Sequence, residues 1–331
     1  MTVLPDSRIV LAPLAGGPST PELAAAVARA GGLPFLGAGY LTALALAEQL
    51  GRTRTLTDAP FGVNIFVLRE RSVDDAAVAA YADELQPEAA RLGVRLGEPH
   101  FDDDGFDAKL SVALAAGAAV VSYTFGCPER DDIARIHAAG AEAWLTVTSL
   151  AEAQTAAQAG ADALVVQGAE AGGHRGSWDD TDDAATPLQD LLPTTAAAVG
   201  LPLVATGGIA DRAGVRAALT AGAAAAQIGT AFLLADEAGT SEPHRRAVAT
   251  AGETAFTRAF TGRSARGLVN EFMRRHPHAP SAYPHVHHLT APLRAAARAA
   301  GDADGINLWA GTNAALARAE PAAEIVARLR A

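Results

Sequence analysis

Twelve residues concentrate the reactive side chains of this sequence: Val-Val-Gln-Gly-Ala-Glu-Ala-Gly-Gly-His-Arg-Gly, from Val165 to Gly176. A short apolar run, Ala163 to Val166, ends in the polar Gln167 and opens into a loop with four glycines. Gly172 and Gly173 have no Cβ, so their backbone can come within hydrogen-bonding distance of something flat or phosphorylated. His174 follows at once, the side chain here that can trade a proton near neutral pH. A strand end, a glycine cradle and an imidazole read together as a cofactor and a base sharing one site. A surface loop with an incidental histidine is the plainer alternative, and the neighbouring segments argue against it.

Other chemistries have less to work with. Lys109 is the only lysine. In Phe106-Asp107-Ala108-Lys109-Leu110 it reads as the exposed side of a helix, so a Schiff base, which needs a lysine at a strand end, has no good candidate. The single cysteine, Cys127, excludes an intramolecular disulfide and fits a reducing cytoplasm. No catalytic dyad beside it can be read from the sequence. The net charge of −11, without a Lys/Arg block, argues against a nucleic-acid surface. No apolar run approaches the ~20 residues that span a bilayer, and Met1 to Arg8 lacks a signal pattern.

These residues need a scaffold, and 331 residues, half of them apolar, supply ample core for one. Ala116-Gly117-Ala118, Ala139-Gly140-Ala141, Ala159-Gly160-Ala161 and Ala221-Gly222-Ala223 each end an alanine-rich helix and start an apolar strand. Such helix–strand units describe parallel βα construction. Eight strands can be counted, starting near residues 8, 33, 61, 118, 142, 162, 202 and 224. Thr20 or Ser19 caps a helix after the first, and helices are expected over Leu41 to Leu50 and Val73 to Leu92. Eight strands in this length predict an α/β fold, a closed (β/α)8 TIM barrel over residues 1–235. Residues 236–331 read as a helical and loop extension packed on the barrel mouth within the same unit. Its expected helices are Arg245 to Arg258, Leu268 to Arg274, Ala291 to Ala300 and Ala322 to Leu329.

In such a barrel the active site lies at the C-terminal strand ends. Those ends offer Pro13 and Leu14, Asn64, Thr124, Gln167 to His174, Gly207-Gly208, and Gln227-Ile228-Gly229-Thr230. Gly207-Gly208 and Gly229-Thr230 follow the seventh and eighth strands, where this fold usually binds phosphate with backbone N–H groups. In the extension, five histidines crowd into residues 276–288. No cysteine or acidic residue lies near them, and prolines interrupt helical i, i+4 spacing, so no metal site is expected. A loop folded over the barrel mouth fits that tract better.

These strand ends, in this order, resemble the nitronate monooxygenase family, formerly called 2-nitropropane dioxygenases. The resemblance runs from Leu11-Ala12-Pro13-Leu14-Ala15-Gly16 to Leu308-Trp309-Ala310-Gly311 and is most specific at Gln167 to His174, Ala205-Thr206-Gly207-Gly208-Ile209 and Gln227 to Thr230. The tail, with Tyr283-Pro284, looks like the bacterial class I branch. The resemblance implies an enzyme, an FMN-dependent oxidoreductase. Asn64, Gln167 and Gly172 would hold the flavin ring and ribityl chain, with Pro13, Leu14 and Gly173 beside them. Gly207, Gly208, Gln227, Ile228, Gly229 and Thr230 would form the phosphate grip. His174 matches the histidine that takes the α-proton of a neutral nitroalkane; toward an anionic nitronate it would orient or balance the anion. Nitronates such as propionate 3-nitronate would be oxidised with O2 to a carbonyl compound and nitrite, and a homodimer is compatible with the family.

Thr124, Tyr283 and His287 are expected to face the substrate. Two of them depart from the branch: Thr124 stands where many members carry histidine, and the tail loop has His287 and no lysine where they carry a second tyrosine and a lysine. Three other functions stay open, one of them a flavin-binding carrier or partner without turnover. The same barrel branch contains FMN-dependent NAD(P)H:quinone and enoyl-thioester reductases, and a non-redox barrel could use the grip for a sugar phosphate.

Overall fold

The computed structural model describes residues 2–181 and 185–331. Eight parallel strands close into a barrel: β1 (Ile9–Leu11), β2 (Leu33–Gly37), β3 (Gly62–Phe66), β4 (Val120–Thr124), β5 (Glu142–Val147), β6 (Ala163–Gln167), β8 (Leu203–Thr206) and β9 (Ala225–Ile228). A two-residue strand, β7 (Gly173–His174), leaves the barrel after β6, and β9 closes the ring on β1 through Val10↔Gln227. Every barrel strand starts within two residues of its expected position. The strands are apolar throughout because both faces are covered, as in Val120, Val121, Val165 and Val166.

Helices α1 (Pro21–Arg29), α2 (Ala43–Leu56), α3 (Asp75–Leu92), α4 (Phe106–Ala115), α5 (Arg130–Ala138), α6 (Leu150–Ala159), α7 (Leu188–Ala198) and α8 (Arg212–Thr220) connect them. Thr20 caps α1 by accepting from Leu23 N at 2.9 Å. Gly117, Gly140, Gly160 and Gly222, in the recurring Ala-Gly-Ala, all take positive φ where α4, α5, α6 and α8 stop. Inside the barrel, Phe35 and Trp144 meet with ring centroids 5.4 Å apart. A Cβ on Gly62 would collide with the Phe35 ring, so β3 makes room there with glycine. This layer plugs the barrel floor and leaves chemistry to the opposite end.

The extension departs most from expectation. It runs α9 (Glu242–Thr250), β10 (Thr254–Thr257), β11 (Ala265–Leu268), α10 (Glu271–Arg275), α11 (His285–Ala299) and α12 (Ala322–Leu329). The helix expected over Arg245 to Arg258 stops at Thr250, because Gly252 and the strand formers Thr254, Phe256 and Thr257 follow it. The helix expected over Leu268 to Arg274 begins only at Glu271, since Asn270 caps it by accepting from Met273 N at 3.1 Å. β10, β11 and β7 form a small antiparallel sheet, in the order β10-β11-β7. The histidine tract is a loop only as far as Pro284. That proline precedes the first turn of α11, where a missing N–H is harmless, so His285, His287 and His288 are helical.

Lys109 is not on an exposed face. It is buried, with Nζ 2.7 Å from Asp104 Oδ2. The other oxygen of Asp104 accepts from Tyr40 N at 3.0 Å, so the pair fixes the turn after β2. Burial raises the Asp104 carboxyl above its usual range, against the pull of Lys109. Among the described residues no helix is long and apolar enough to cross a membrane.

Candidate active site

A cavity of about 620 Å³ opens at the C-terminal strand ends. Pro13 and Leu14 after β1, Asn64 on β3, Thr124 on β4 and Gln167 on β6 all border it. So do Gly207 and Gly208 after β8, Gln227 on β9, and Gly229 and Thr230 beyond it. Two expected residues are exceptions: Ile228 has its side chain in the core between barrel and helices, and Tyr283 lines a neighbouring cavity with Cys127 and Trp178. β8 and β9 stand across the ring from β3 and β4, so the glycine loops and the Asn64–Thr124 pair face each other.

At the glycine end, Gly207 and Gly208 have φ of +118° and +68°. Among the described residues neither amide donates to a protein acceptor, while Asn313 Nδ2 holds the Gly208 carbonyl at 2.5 Å. Two successive free amides on left-handed backbone suit a phosphate. Thr230 Oγ1 accepts from Gly311 N at 2.9 Å, which orients the hydroxyl beside them. Gly173 has φ of +78° and open space where a Cβ would stand. At Gly172 a Cβ would collide with the backbone of Ala310 and Gly311, so the missing side chain admits the tail while the backbone still borders the cavity.

Across the cavity, Asn64 Nδ2 donates to Ser122 Oγ at 2.9 Å and Thr124 Oγ1 at 3.0 Å. Gln167 braces its own loop, donating from Nε2 to the His174 carbonyl at 3.2 Å and accepting at Oε1 from Gly176 N at 2.7 Å. His174 is fixed twice. Its backbone is β7, paired to β11 as His174↔Ala265, and its Nε2 lies 2.9 Å from Thr261 Oγ1. The Thr261 hydroxyl can donate to the Arg263 carbonyl at 3.3 Å, an arrangement in which Nε2 carries the imidazole proton and Nδ1 keeps a lone pair. The rings of Trp309, Phe125 and Tyr283 stand 5.4, 5.7 and 5.8 Å from the imidazole. Glu170, next in the loop, turns away to accept from Leu188 N at 3.0 Å.

Several residues here escaped the sequence reading. Tyr40 stacks on His287 at 4.3 Å and 7°. Tyr40 and Phe125 both hold positive φ, +70° and +79°, a strained backbone for aromatic residues. Burial pushes the Tyr40 phenol up to about 12; the neighbouring Tyr283 hydroxyl opposes this, though Tyr40 Oη itself makes no well-formed hydrogen bond. Arg294 reaches the cavity wall from α11, donating from Nη2 to the His287 carbonyl at 2.8 Å and from Nε to Thr290 Oγ1 at 3.1 Å. No carboxylate lies in ion-pair range of it among the described residues. His287, Ala291, Arg294 and Arg298 border the cavity at i, i+4, i+7 and i+11, one face of one helix. That spacing was the available signal, hidden by starting the helix at Ala291. Cys127 lies outside this cavity, its thiol pushed up by burial.

Burial drives His174 down to about 3, helped by the charges of Arg263 and Arg294. Burial likewise takes His244 to about 4 and His287 to about 2. An unfolded imidazole takes its proton near pH 6.5, while these three stay neutral in the fold well below that. The unfolded chain thus binds more protons in between, so their stabilisation is complete above pH 6.5 and fades as pH falls, through about 4 for His244, about 3 for His174 and about 2 for His287. The Tm is expected to drop between pH 7 and pH 5 in scanning fluorimetry. An unchanged Tm would contradict this burial.

The family model for "Nitronate monooxygenase" matches residues 2–331. A nitronate monooxygenase of Paraburkholderia phytofirmans is 41% identical over 336 positions, covering 98% of this chain and 91% of the relative. One of Pseudomonas aeruginosa is 42% identical over 337 positions, covering 97% and 94%. Among solved structures, nitroalkane oxidase from Streptomyces ansochromogenes superposes with a TM-score of 0.95 at 50% identity, covering 98% of this chain and 95% of that one.

Proposed function

The chain belongs to the nitronate monooxygenase family, and from that premise we propose that it binds FMN in the cavity and oxidises small anionic nitronates with dioxygen, releasing a carbonyl compound and nitrite. When bound, the flavin accepts reducing equivalents from the nitronate and passes them to dioxygen.

The barrel, residues 1–235, holds the cofactor in this reading. The Gly207 and Gly208 amides and Thr230 take its phosphate, and the wall from Asn64 to Gln167 takes its ring. The extension, residues 236–331, makes the substrate side with Thr261, Tyr283, His287 and Arg294, and Thr124 faces them from the barrel. The observation that carries the reading is Arg294, a buried guanidinium with no carboxylate partner among the described residues, whose charge acts on the neutral His174 imidazole. A buried cation on the cavity wall recruits an anion, and an imidazole held neutral beside it does not protonate that anion. The low basicity of His174 favours a preformed nitronate over a neutral nitroalkane, which must first lose a proton.

Anaerobic stopped-flow mixing tests the proposal. Propionate 3-nitronate is expected to bleach the flavin absorbance rapidly, and NADH is not. Rapid bleaching by NADH with none by the nitronate would reassign the site to a reductase.

A further inference from the structure

Outside the cavity, the loop before α4 and the first turn of α11 gather a second set of chemical groups. His100, Asp102 and His288 each offer a ligand atom within 4.8 Å of the others. Asp102 Oδ2 lies 2.8 Å from His288 Nε2 and 3.8 Å from His100 Nε2. The two imidazoles stack in parallel, with centroids 3.9 Å apart at 15°. Tetrahedral zinc binds N and O ligands at about 2.0–2.2 Å, which sets neighbouring ligand atoms roughly 3.3 Å apart. The two measured spacings fall on either side of that value.

We propose that His100, Asp102 and His288 form a binding site for one divalent transition ion of the zinc class, completed by water. Neighbouring bonds set the tautomer of His100 and the turn of the carboxylate, and the two stacked rings must splay apart for both Nε2 lone pairs to meet one ion. His100 Nδ1 lies 2.9 Å from the Glu98 carbonyl, so it carries the proton and leaves Nε2 its lone pair. Asp102 Oδ1 accepts from Asp104 N at 2.7 Å, which turns Oδ2 toward the imidazoles. The loop is also docked on the helix that carries the third ligand: Gly97 N donates to the Leu289 carbonyl at 3.0 Å. A Cβ on Gly97 would collide with the His288 carbonyl, the group that Pro292 leaves without its helical donor. His285, one turn before His288, adds an imidazole whose Nδ1 is buried without a hydrogen-bond partner among the described residues.

Two imidazoles and one carboxylate select a borderline ion over calcium or magnesium, which prefer all-oxygen sites. His100 and Asp102 are 57% and 44% exposed, so an ion can enter and keep water. The acidic ligand was invisible from the tract because Asp102 arrives from a distant segment.

The test is calorimetric titration of Zn²⁺ alone into tag-free, chelator-dialysed, flavin-loaded protein. One ion per chain with a Kd of about 10 µM or tighter is expected. His100→Ala and Asp102→Asn, both on the exposed loop, should each weaken binding at least tenfold, as losing a ligand does. His278→Ala, elsewhere in the tract, should bind as before. Absence of saturable binding below about 1 mM would overturn the proposal, as would unchanged binding in the His100 and Asp102 variants.

Discussion

Replacing His174 by alanine is expected to slow turnover of a neutral nitroalkane by roughly 10²–10⁴-fold, the range for a positioned general base, while the purified protein keeps its flavin. With a preformed nitronate the loss should be only about tenfold, since no carbon-bound proton has to move. The split follows from the surroundings of the imidazole. Burial holds it at about 3, a poor base in the free protein. As a nitroalkane begins to lose its proton, negative charge grows beside both Arg294 and the imidazole. Arg294 stabilises the anion, and the anion stabilises the imidazolium, so the basicity of His174 rises during the transfer itself. Steady-state rates with matched nitroalkane and nitronate pairs would read this out. Equal losses with both would assign His174 to orientation alone.

Arg294→Met should raise the KM for an anionic nitronate by about 100-fold, the equivalent of one charge-assisted hydrogen bond at the upper end of 1.5–3 kcal/mol. The KM for a neutral nitroalkane should move little. The substitution has a second signature. The Arg294 charge also holds down His174 and His287, so both imidazoles should titrate at higher pH in the variant, visible by NMR. Arg294→Lys keeps the charge but gives up the fork that grips the His287 carbonyl and Thr290, and should recover only part of the affinity. An unchanged KM for the anion in Arg294→Met would remove Arg294 from substrate binding.

The barrel was legible because its signals are local and repeat. Ala-Gly-Ala closes a helix at Gly117, Gly140, Gly160 and Gly222 for the same backbone reason each time, and an apolar strand follows. The glycine loops after β8 and β9 were legible because fold position makes them a phosphate site. The extension was not, since its structure depends on partners far away in sequence. Thr254–Thr257 becomes a strand only because Ala265–Leu268 lies beside it. Arg294 reads as a surface arginine until α11 is placed over the cavity. Lys109 misled for a different reason: its partner Asp104 is close by in the loop before α4, but nothing in the sequence announces that the pair is buried.

Chemistry here depends on parity. The loop that carries His174 is joined to the extension by a ladder with two rungs, His174↔Ala265 and Gly173↔Arg266. Successive side chains on a strand point to opposite sides, so a slip of one rung would turn the imidazole away from Thr261 and out of the cavity. An odd insertion or deletion between Thr261 and Ala265 would slip β11 instead, changing which of its faces meets His174 and how Thr261 reaches the imidazole, whereas an even one can preserve both. When tails are exchanged among relatives of this barrel, counting residues in that short segment is therefore a better guide to a working graft than overall similarity.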